Sequence, residues 1–199
     1  GSVLGIITDL TEAIKTNDLI TIEKLLAQLG KTPFIKKEKP TPFDEAVSII
    51  WYLENVFYTT MGEMILYLQK NILKENQLHN DLLNLGFWPG GDRDGNPFVT
   101  TEITLKVAER LRTSILKCYY NDIRKLKRKL TFSGVEVLIA DLESKLYRSV
   151  FYSEGTIFIT KDELLEQLET IINLVKTKHQ GLYMDEIQLL IQKIHLFGF

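Results

Sequence analysis

Residues 100–130 read TTEITLKVAERLRTSILKCYYNDIRKLKRKL, and this stretch decides the fold class. Its apolar side chains recur every three or four positions, which is the spacing of one face of an α-helix. Glu102 lies near the start and the basic residues of 124–129 lie near the end, and both suit the charges of the helix dipole. The stretch therefore predicts a long amphipathic helix with one face buried in a core.

Towards the N-terminus, the same periodicity predicts two further helical blocks, separated by an exposed linker over residues 31–40. The first block covers 18–29. The linker contains two prolines and four lysines. The second block covers 41–73 and opens with Thr41 as its N-cap, but its length indicates a break near the β-branched pair and glycine of 59–62.

Towards the C-terminus, two helices are predicted to open with capping boxes. One is formed by Ser133 and Glu136, and the other by Thr160 and Glu163. A last helix is predicted over 183–195. The expected fold is therefore all-α, with seven or eight helices.

The composition of the 199-residue chain is typical of a soluble globular protein, with 45% hydrophobic and 25% charged residues. A net charge of −2 gives no general attraction to nucleic acid or anionic membranes, and the basic stretch 124–129 is interpreted as a solvated helix end. No apolar run reaches the length of a membrane span, and no secretion signal opens the sequence. We therefore expect a cytoplasmic protein without nucleic-acid or membrane partners, and a buried structural thiol at Cys118.

The segment GFWPGGDRDGNPFV, residues 86–99, interrupts the helical pattern. It holds four of the 12 glycines and two of the five prolines, which indicates a loop. The apolar run 83–88 leading into it predicts one short strand. A short strand, a glycine loop and a long helix in this order are typical of the active-site loops of barrel enzymes.

Residues 88–97, which we call the arginine loop, carry the chemistry of this segment. The glycines let a ligand come close to the backbone. Asp92 and Asp94 flank Arg93 and are expected to hold its guanidinium, a planar fork suited to phosphate or carboxylate. Backbone N–H groups at the start of the helix near Thr100 add donors. The pattern predicts an oxyanion site.

Two other interpretations of the arginine loop remain open on the residues alone. A surface turn rich in aspartate, asparagine and glycine has the same composition. A calcium loop is the second alternative, because Asp92, Asp94 and Asn96 have the spacing of its first three ligands. Pro97 and Ile103 stand where a calcium loop needs glycine and a bidentate acid, and they argue against it.

Residues 87–100, FWPGGDRDGNPFVT, closely resemble a motif of the phosphoenolpyruvate carboxylases, and residues 90–97 are identical to it. Three further segments resemble that family, namely PTPFDEA at 40–46, ENVFY at 54–58 and LFGF at 196–199. The resemblance implies that residues 1–199 are a single helical fragment of a much longer enzyme. The predicted strand would then belong to the (β/α)8 barrel of that helix-rich enzyme, and without its neighbours in this fragment it is expected to be irregular.

The resemblance also implies a role for each residue of the arginine loop. Arg93 matches the active-site arginine that contacts the phosphate end of phosphoenolpyruvate, and Trp88 lies on the strand that feeds the loop. The acidic and amide residues match positions that surround and position the arginine, and the glycines match the backbone that allows a close approach. These supporting residues are Gly90, Gly91, Asp92, Asp94, Gly95 and Asn96.

The reaction of the family joins bicarbonate to phosphoenolpyruvate, through carboxyphosphate and an enolate, and yields oxaloacetate and phosphate. It uses Mg²⁺ or Mn²⁺ and a histidine in a His-Pro-Thr motif, and that motif does not occur in this sequence. The resemblance therefore implies a homo-oligomeric carboxy-lyase whose isolated fragment is inactive and carries no metal ligands. A free-standing helical interaction or regulatory domain is the alternative.

Three residues depart from the pattern of the family. Pro89 replaces a methionine, and we expect it to stiffen the start of the arginine loop. Tyr58 stands where tryptophan is usual, and Val47 stands where arginine is usual. The last two indicate a divergent branch and do not touch the arginine loop.

Overall fold

The computed structural model describes residues 3–33, 39–73, 83–152 and 159–199. These ranges consist of helices, turns and irregular chain, and they contain no β-strand. The predicted all-α class is therefore confirmed. The chain forms two compact units, Gly1–Pro40 and Thr41–Phe199, and the predicted linker 31–40 ends at the division between them. Because residues 34–38 lie outside the described ranges, the linker stays a prediction.

The first unit is a pair of helices, α1 (Val3–Lys15) and α2 (Leu19–Lys31), that pack against each other. Asp18 caps α2, because its carboxylate accepts a hydrogen bond from the backbone N–H of Thr21 at 3.1 Å. The helix predicted over 18–29 is confirmed, and it ends two residues later than expected.

The second unit begins with one long helical rod. Its parts are α3 (Pro42–Tyr52), a π-helical turn (Leu53–Phe57), α4 (Tyr58–Tyr67) and a second π-helical turn (Leu68–Leu73). Thr41 caps the rod as predicted, because its hydroxyl accepts from the N–H of Asp44 at 3.2 Å and the Asp44 carboxylate accepts from the N–H of Thr41 at 3.0 Å.

The centre of the second unit is a bundle of four helices. They are α5 (Thr101–Lys127), α6 (Val135–Phe151), α7 (Lys161–Lys178) and α8 (Met184–Phe197). Successive helices pack against each other, α8 also contacts α5, and the rod packs α3 on α5 and α4 on α8. The long helix predicted over 100–130 is thus confirmed as the central element of the fold.

The core of the bundle is apolar, and fully buried side chains come from every one of its helices. Examples are Leu116, Ile123, Ile139, Leu142, Leu168 and Ile194. Burying each such side chain stabilises the fold by about 1.5–3 kcal/mol. Cys118 is also buried, as the prediction of a structural thiol required.

One of the two predicted capping boxes is confirmed and the other is wrong. Thr160 and Glu163 form a reciprocal box at the start of α7. Ser133 does not cap α6, because the helix begins one residue beyond Gly134, which has a left-handed φ of 85°. The carbonyl oxygen of Phe132 accepts from the first two N–H groups of α6, including that of Glu136, which is the group that a cap at Ser133 would have bonded.

The break predicted at 59–62 is wrong, because these residues lie inside α4. A Cβ atom on Gly62 would lie only 2.6 Å from Cε of Lys193 on α8. The glycine therefore permits a close approach between two helices, and tertiary packing outweighs its weak helix propensity. The rod changes its geometry instead at Leu53–Phe57.

Residues 83–88 are irregular in this structure, as expected for the predicted strand when its barrel neighbours are missing. A strand needs a hydrogen-bonding neighbour, and no other extended segment lies beside it in the described part of the chain. Within the same ranges, no helix combines the length and the apolar character that crossing a membrane demands.

Candidate functional site

The arginine loop starts with a tight turn over residues 88–91. The N–H of Gly91 donates to the carbonyl oxygen of Trp88 at 3.0 Å, and Gly90 has a φ of 78°. Proline at the second position and a positive φ at the third are typical of a type II turn. Pro89 therefore suits this turn, because its ring presets the backbone angle that the second position needs.

A second turn, over residues 96–99, ends the loop. The N–H groups of Phe98 and Val99 donate to the side-chain and backbone oxygens of Asn96, and both distances are 3.0 Å. Asparagine favours turns for this reason, since its side chain can bond the backbone two residues on. Thr100 follows and caps α5. The centre of the arginine loop is thus held between two hydrogen-bonded turns.

The first turn is attached to the side of α5 through Gly90. The hydroxyl of Thr104 donates to the carbonyl oxygen of Gly90 at 2.8 Å. On the same face of α5, Val107 lies so close that a Cβ atom on Gly90 would be 2.7 Å from its Cγ2. Gly90 is accordingly buried, although it belongs to a loop. Its positive φ and this close approach both require glycine.

Arg93 lies in the exposed part of the loop. No hydrogen bond or salt bridge joins its guanidinium to another residue in the described ranges. Asp92 and Asp94 therefore do not hold the guanidinium in this structure, contrary to the expectation from their spacing. The Asp92 carboxylate instead lies near Gly95, where an added Cβ would be 3.2 Å from Oδ2.

The surroundings of the loop bear on the kind of ligand it can hold. Throughout the described ranges, no three His, Cys, Asp or Glu side chains converge in a way that could hold a metal ion. Arg93 is a fixed positive charge in solvent, and a guanidinium pairs with phosphate or carboxylate through two parallel N–H groups. The arrangement is therefore suited to a planar or tetrahedral oxyanion.

The sequence around the loop matches a known protein family. The profile of the family described as phosphoenolpyruvate carboxylase matches residues 8–150, which is well over half of the chain and includes the arginine loop. The chain belongs to the phosphoenolpyruvate carboxylase family. The family resemblance of residues 87–100 is thus confirmed by a match that extends far beyond them.

Individual phosphoenolpyruvate carboxylases are similar over most of this chain. That of Shewanella halifaxensis (strain HAW-EB4) is 34% identical over 138 residues, which cover 67% of this chain and 16% of the relative. That of Shewanella loihica (strain ATCC BAA-1088 / PV-4) is 30% identical over 179 residues, or 86% of this chain and 19% of the relative. The chain therefore spans less than a fifth of the length of these carboxylases.

A buried polar cluster in this carboxylase-family chain was not predicted from its sequence. Tyr58 of α4 and Lys193 of α8 both donate to Oδ2 of Asp122 on α5, each at 2.8 Å. The Lys193 ammonium also lies 4.2 Å from the centre of the Tyr58 ring, which is a cation–π contact. No sequence signal could have found the cluster, because its members are 64 and 71 residues apart from Asp122.

The contacts within the cluster shift the pKa values of Asp122 and Tyr58. Burial raises the pKa of the Asp122 carboxyl, but the hydrogen bond and charge of Lys193, assisted by Tyr58 and Lys125, outweigh it, and the pKa lies below its ordinary value. Burial, followed by the charge of Asp122, raises the pKa of Tyr58 far above its ordinary value. Asp122 is therefore ionised and Tyr58 neutral at pH 7, and the cluster joins three helices by charge-assisted hydrogen bonds.

Proposed function

We propose that this chain is the part of a phosphoenolpyruvate carboxylase that supplies one substrate-binding arginine to an active site completed by the rest of the enzyme. The complete enzyme joins bicarbonate to phosphoenolpyruvate and releases oxaloacetate and phosphate, which is a carboxy-lyase reaction that fixes carbon for the tricarboxylic acid cycle. The observation that carries the proposal is that residues 90–97, identical to the motif of the family, are displayed between two turns with Arg93 exposed.

In this proposal Arg93 grips the phosphate end of phosphoenolpyruvate. A guanidinium carries a positive charge and offers donors in a rigid fork that matches phosphate oxygens. Asn96 contributes by closing the second turn, and Gly90 contributes by letting the first turn lie against α5. Asp92, Asp94, Gly91 and Gly95 complete the loop that carries the arginine.

The metal belongs to other parts of the complete enzyme. The family reaction uses Mg²⁺ or Mn²⁺, and we place the ligands of this ion in other parts of the complete enzyme. In this proposal, the chain itself binds and orients the substrate. The proposal includes a cytoplasmic location and a homo-oligomeric complete enzyme.

The isolated chain should not catalyse the reaction. A single guanidinium in water binds an anion weakly, since solvent screens its charge. Such groups accelerate reactions when several of them are preorganised in a site that excludes water. An assay of the 199-residue chain with phosphoenolpyruvate, bicarbonate and Mg²⁺ should show no turnover above background, and measurable turnover would contradict this part of the proposal.

The decisive experiment changes Arg93 in a complete carboxylase that carries these residues. Arg93→Ala should lower kcat/KM for phosphoenolpyruvate by about 100-fold or more, because one preorganised charge at a reacting anion contributes about that much. Arg93→Lys should recover only part of the loss, since an ammonium cannot make the paired contact. Arg128→Ala removes another exposed arginine at the far end of α5 and serves as the control. Equal kinetics for Arg93→Ala and Arg128→Ala would refute the proposal.

A second candidate function, a helical interaction domain, is supported by apolar surface on the rod. Trp51 and Tyr52 meet edge to face with ring centres 5.1 Å apart, and both are exposed, as is Phe57 one to two turns later. Exposed aromatic side chains that contact each other are typical of a surface that meets another polypeptide. We propose that the isolated chain self-associates through it. Light scattering should show a mass that rises with concentration and falls in a Trp51→Lys variant, and a monomer at all concentrations would contradict this.

A further inference from the structure

The position of Arg93 is determined by contacts that Arg93 itself does not make. Within the described ranges its guanidinium has no partner, and the loop meets α5 at Gly90, three residues away. We propose that Thr104 and Val107 of α5 are positioning residues that set where Arg93 is presented to substrate. This inference rests on the proposed function of Arg93 as a phosphate-binding group.

The contact with Thr104 is polar and directional. The Thr104 hydroxyl oxygen lies 2.8 Å from the carbonyl oxygen of Gly90 and 3.2 Å from that of Thr100 in its own helix. A hydroxyl carries one proton, so the two acceptors compete, and the shorter contact is the one to the loop. The hydrogen bond thus draws the first turn towards α5 instead of serving only the helix backbone.

The contact with Val107 is apolar and sets how near the turn can come. A Cβ atom built on Gly90 would lie 2.7 Å from Cγ2 and 3.1 Å from Cβ of Val107, so the backbone already touches the isopropyl group. Thr104 and Val107 are three residues apart and lie on the same face of α5. One residue attracts the carbonyl of Gly90 and the other limits its approach, and together they fix both distance and direction.

The turn then transmits this position to Arg93. Residues 88–91 are closed by the hydrogen bond from Gly91 to Trp88, and Pro89 removes one rotational freedom. Only Asp92 separates this closed turn from Arg93. A displacement of Gly90 therefore moves the guanidinium by a similar amount, and displacements of about 1 Å at a positioning group can cost about 100-fold in rate.

The test compares Thr104→Val with Thr104→Ser in a complete carboxylase that carries these residues. Valine keeps the shape of the side chain but removes the donor, whereas serine keeps the donor. Thr104→Val should lower kcat/KM for phosphoenolpyruvate by about 10-fold, the size expected for one lost hydrogen bond, and Thr104→Ser should stay within about twofold of the parent. Thr177→Val is the control, because Thr177 is an exposed threonine of α7 whose hydroxyl donates to the carbonyl oxygen of Asn173 in its own helix at 2.7 Å.

A purely structural role of Thr104 and a positioning role change different kinetic constants when the residue is replaced. Loss of folded enzyme lowers kcat in proportion and leaves KM unchanged, whereas a misplaced Arg93 also raises the KM for phosphoenolpyruvate. A Thr104→Val enzyme that loses kcat alone, or a Thr104→Ser enzyme as impaired as Thr104→Val, would overturn the inference.

A second measurement keeps the inference testable where Thr104→Val fails to give active enzyme. In the 199-residue chain, the NMR amide signals of Gly90, Gly91 and Arg93 should shift in Thr104→Val and Val107→Ala and stay in place in Thr104→Ser. Unmoved signals in both variants would overturn the inference. Arg93→Ala separates the two proposals. If it leaves the kinetics unchanged, the proposed function fails, and if it impairs them while Thr104→Val does not, the positioning inference alone fails.

Discussion

Lys193 donates a hydrogen bond to Asp122 inside the helical bundle, with 2.8 Å between Nζ and Oδ2. The side chains are 9% and 17% exposed, respectively, so both charges have lost most of their water. Such a pair is not in itself strongly stabilising, because desolvation offsets much of the attraction. Removing one partner is costly, however, since it leaves the other charge buried and unpaired.

We therefore expect Lys193→Met to lower the free energy of unfolding by about 3 kcal/mol, as for other broken buried pairs. Lys125→Met is the matched control, because Lys125 also contacts Asp122, at 3.3 Å, but its side chain is 74% exposed. Its loss should cost less than about 1 kcal/mol. Urea denaturation followed by circular dichroism measures both, and equal losses would show that Asp122 is not buried with Lys193.

The same pair predicts how stability depends on pH. The folded-state pKa of Asp122 is below its ordinary value, whereas in the unfolded state it returns to about 3.9. The stabilisation is therefore complete above about pH 5 and is lost as the pH falls through the folded-state pKa, because the unfolded state takes up the proton first.

The urea concentration at the midpoint of unfolding, measured between pH 7 and pH 3, should decrease as the pH falls below about 5. Asp122→Asn, which has no proton to bind, should show a shallower fall, and an NMR titration of the Asp122 carboxyl carbon should give a pKa below the ordinary value. A carboxyl that titrates at or above its ordinary value would contradict the assignment of Lys193 as its partner.

Cys118 should be chemically inert in the folded chain. Burial, followed by the charges of Glu54 and Asp122, raises the pKa of its thiol to about 12. The reactive form of cysteine is the thiolate, which is scarce at pH 8 under these conditions. Ellman's reagent should release no signal from the native protein and one equivalent after unfolding in urea. Fast labelling of native protein would show that the helices around Cys118 open easily.

The thiol also adds an alkaline limit to stability. Because its folded-state pKa lies above the unfolded value of about 8.5, the neutral form is favoured by folding. Its contribution is complete below about pH 8.5 and declines as the pH rises towards 12. Cys118→Ala should remove this part of the alkaline decline in a thermal melt.

Gly90→Ala should be strongly unfavourable. The residue has a φ of 78°, which costs a side chain about 1–2 kcal/mol, and the new Cβ would lie 2.7 Å from Cγ2 of Val107. Gly86→Ala is the control in the same segment, because a Cβ there meets nothing within 4 Å, and it should change stability by less than about 0.5 kcal/mol.

The double variant Gly90→Ala/Val107→Ala divides the loss into its two causes. It removes the contact with Cγ2 but leaves the Cβ of residue 107 at 3.1 Å and the backbone strain, so it should recover only part of the stability lost in Gly90→Ala. Full recovery in urea denaturation would show that the positive φ is not required.

Thr160 and Ser133 both resemble helix caps in the sequence, but replacing each by alanine should affect stability differently. Thr160→Ala removes a hydroxyl that accepts from the N–H of Glu163 at 3.2 Å, and should cost about 1 kcal/mol. Ser133→Ala removes no cap, since α6 starts after Gly134 and has no side-chain cap, and should cost almost nothing. Equal costs in thermal melts would contradict the helix boundary seen here.

Much of the fold could be predicted because helical signals are local. The apolar repeat of α5 and the cap at Thr160 depend on residues within one or two turns, and both predictions are confirmed. The loop before α5 was recognisable for the same reason, as eight consecutive residues carry its motif. Its assigned role in substrate binding stays a proposal.

The wrong predictions share a cause. In each, a signal from neighbouring residues was outweighed by a contact with a distant residue, or an expected contact did not form. Gly62 lies inside α4, where its lack of a side chain leaves room for Lys193 of α8. The carboxylates beside Arg93 form no hydrogen bond or salt bridge with it among the described residues, although their spacing along the chain indicated one.

The sequence by itself determined the helical class, the family and the identity of the arginine loop, because periodicity, caps and a contiguous motif are properties of neighbouring residues. Only the tertiary structure decided that Asp122, Tyr58 and Lys193 form one buried cluster, and that Gly90 rests on Thr104. These contacts join residues distant along the chain. Their geometry arises when the helices pack. Burial then strengthens the electrostatic interactions between the charged groups that these contacts enclose.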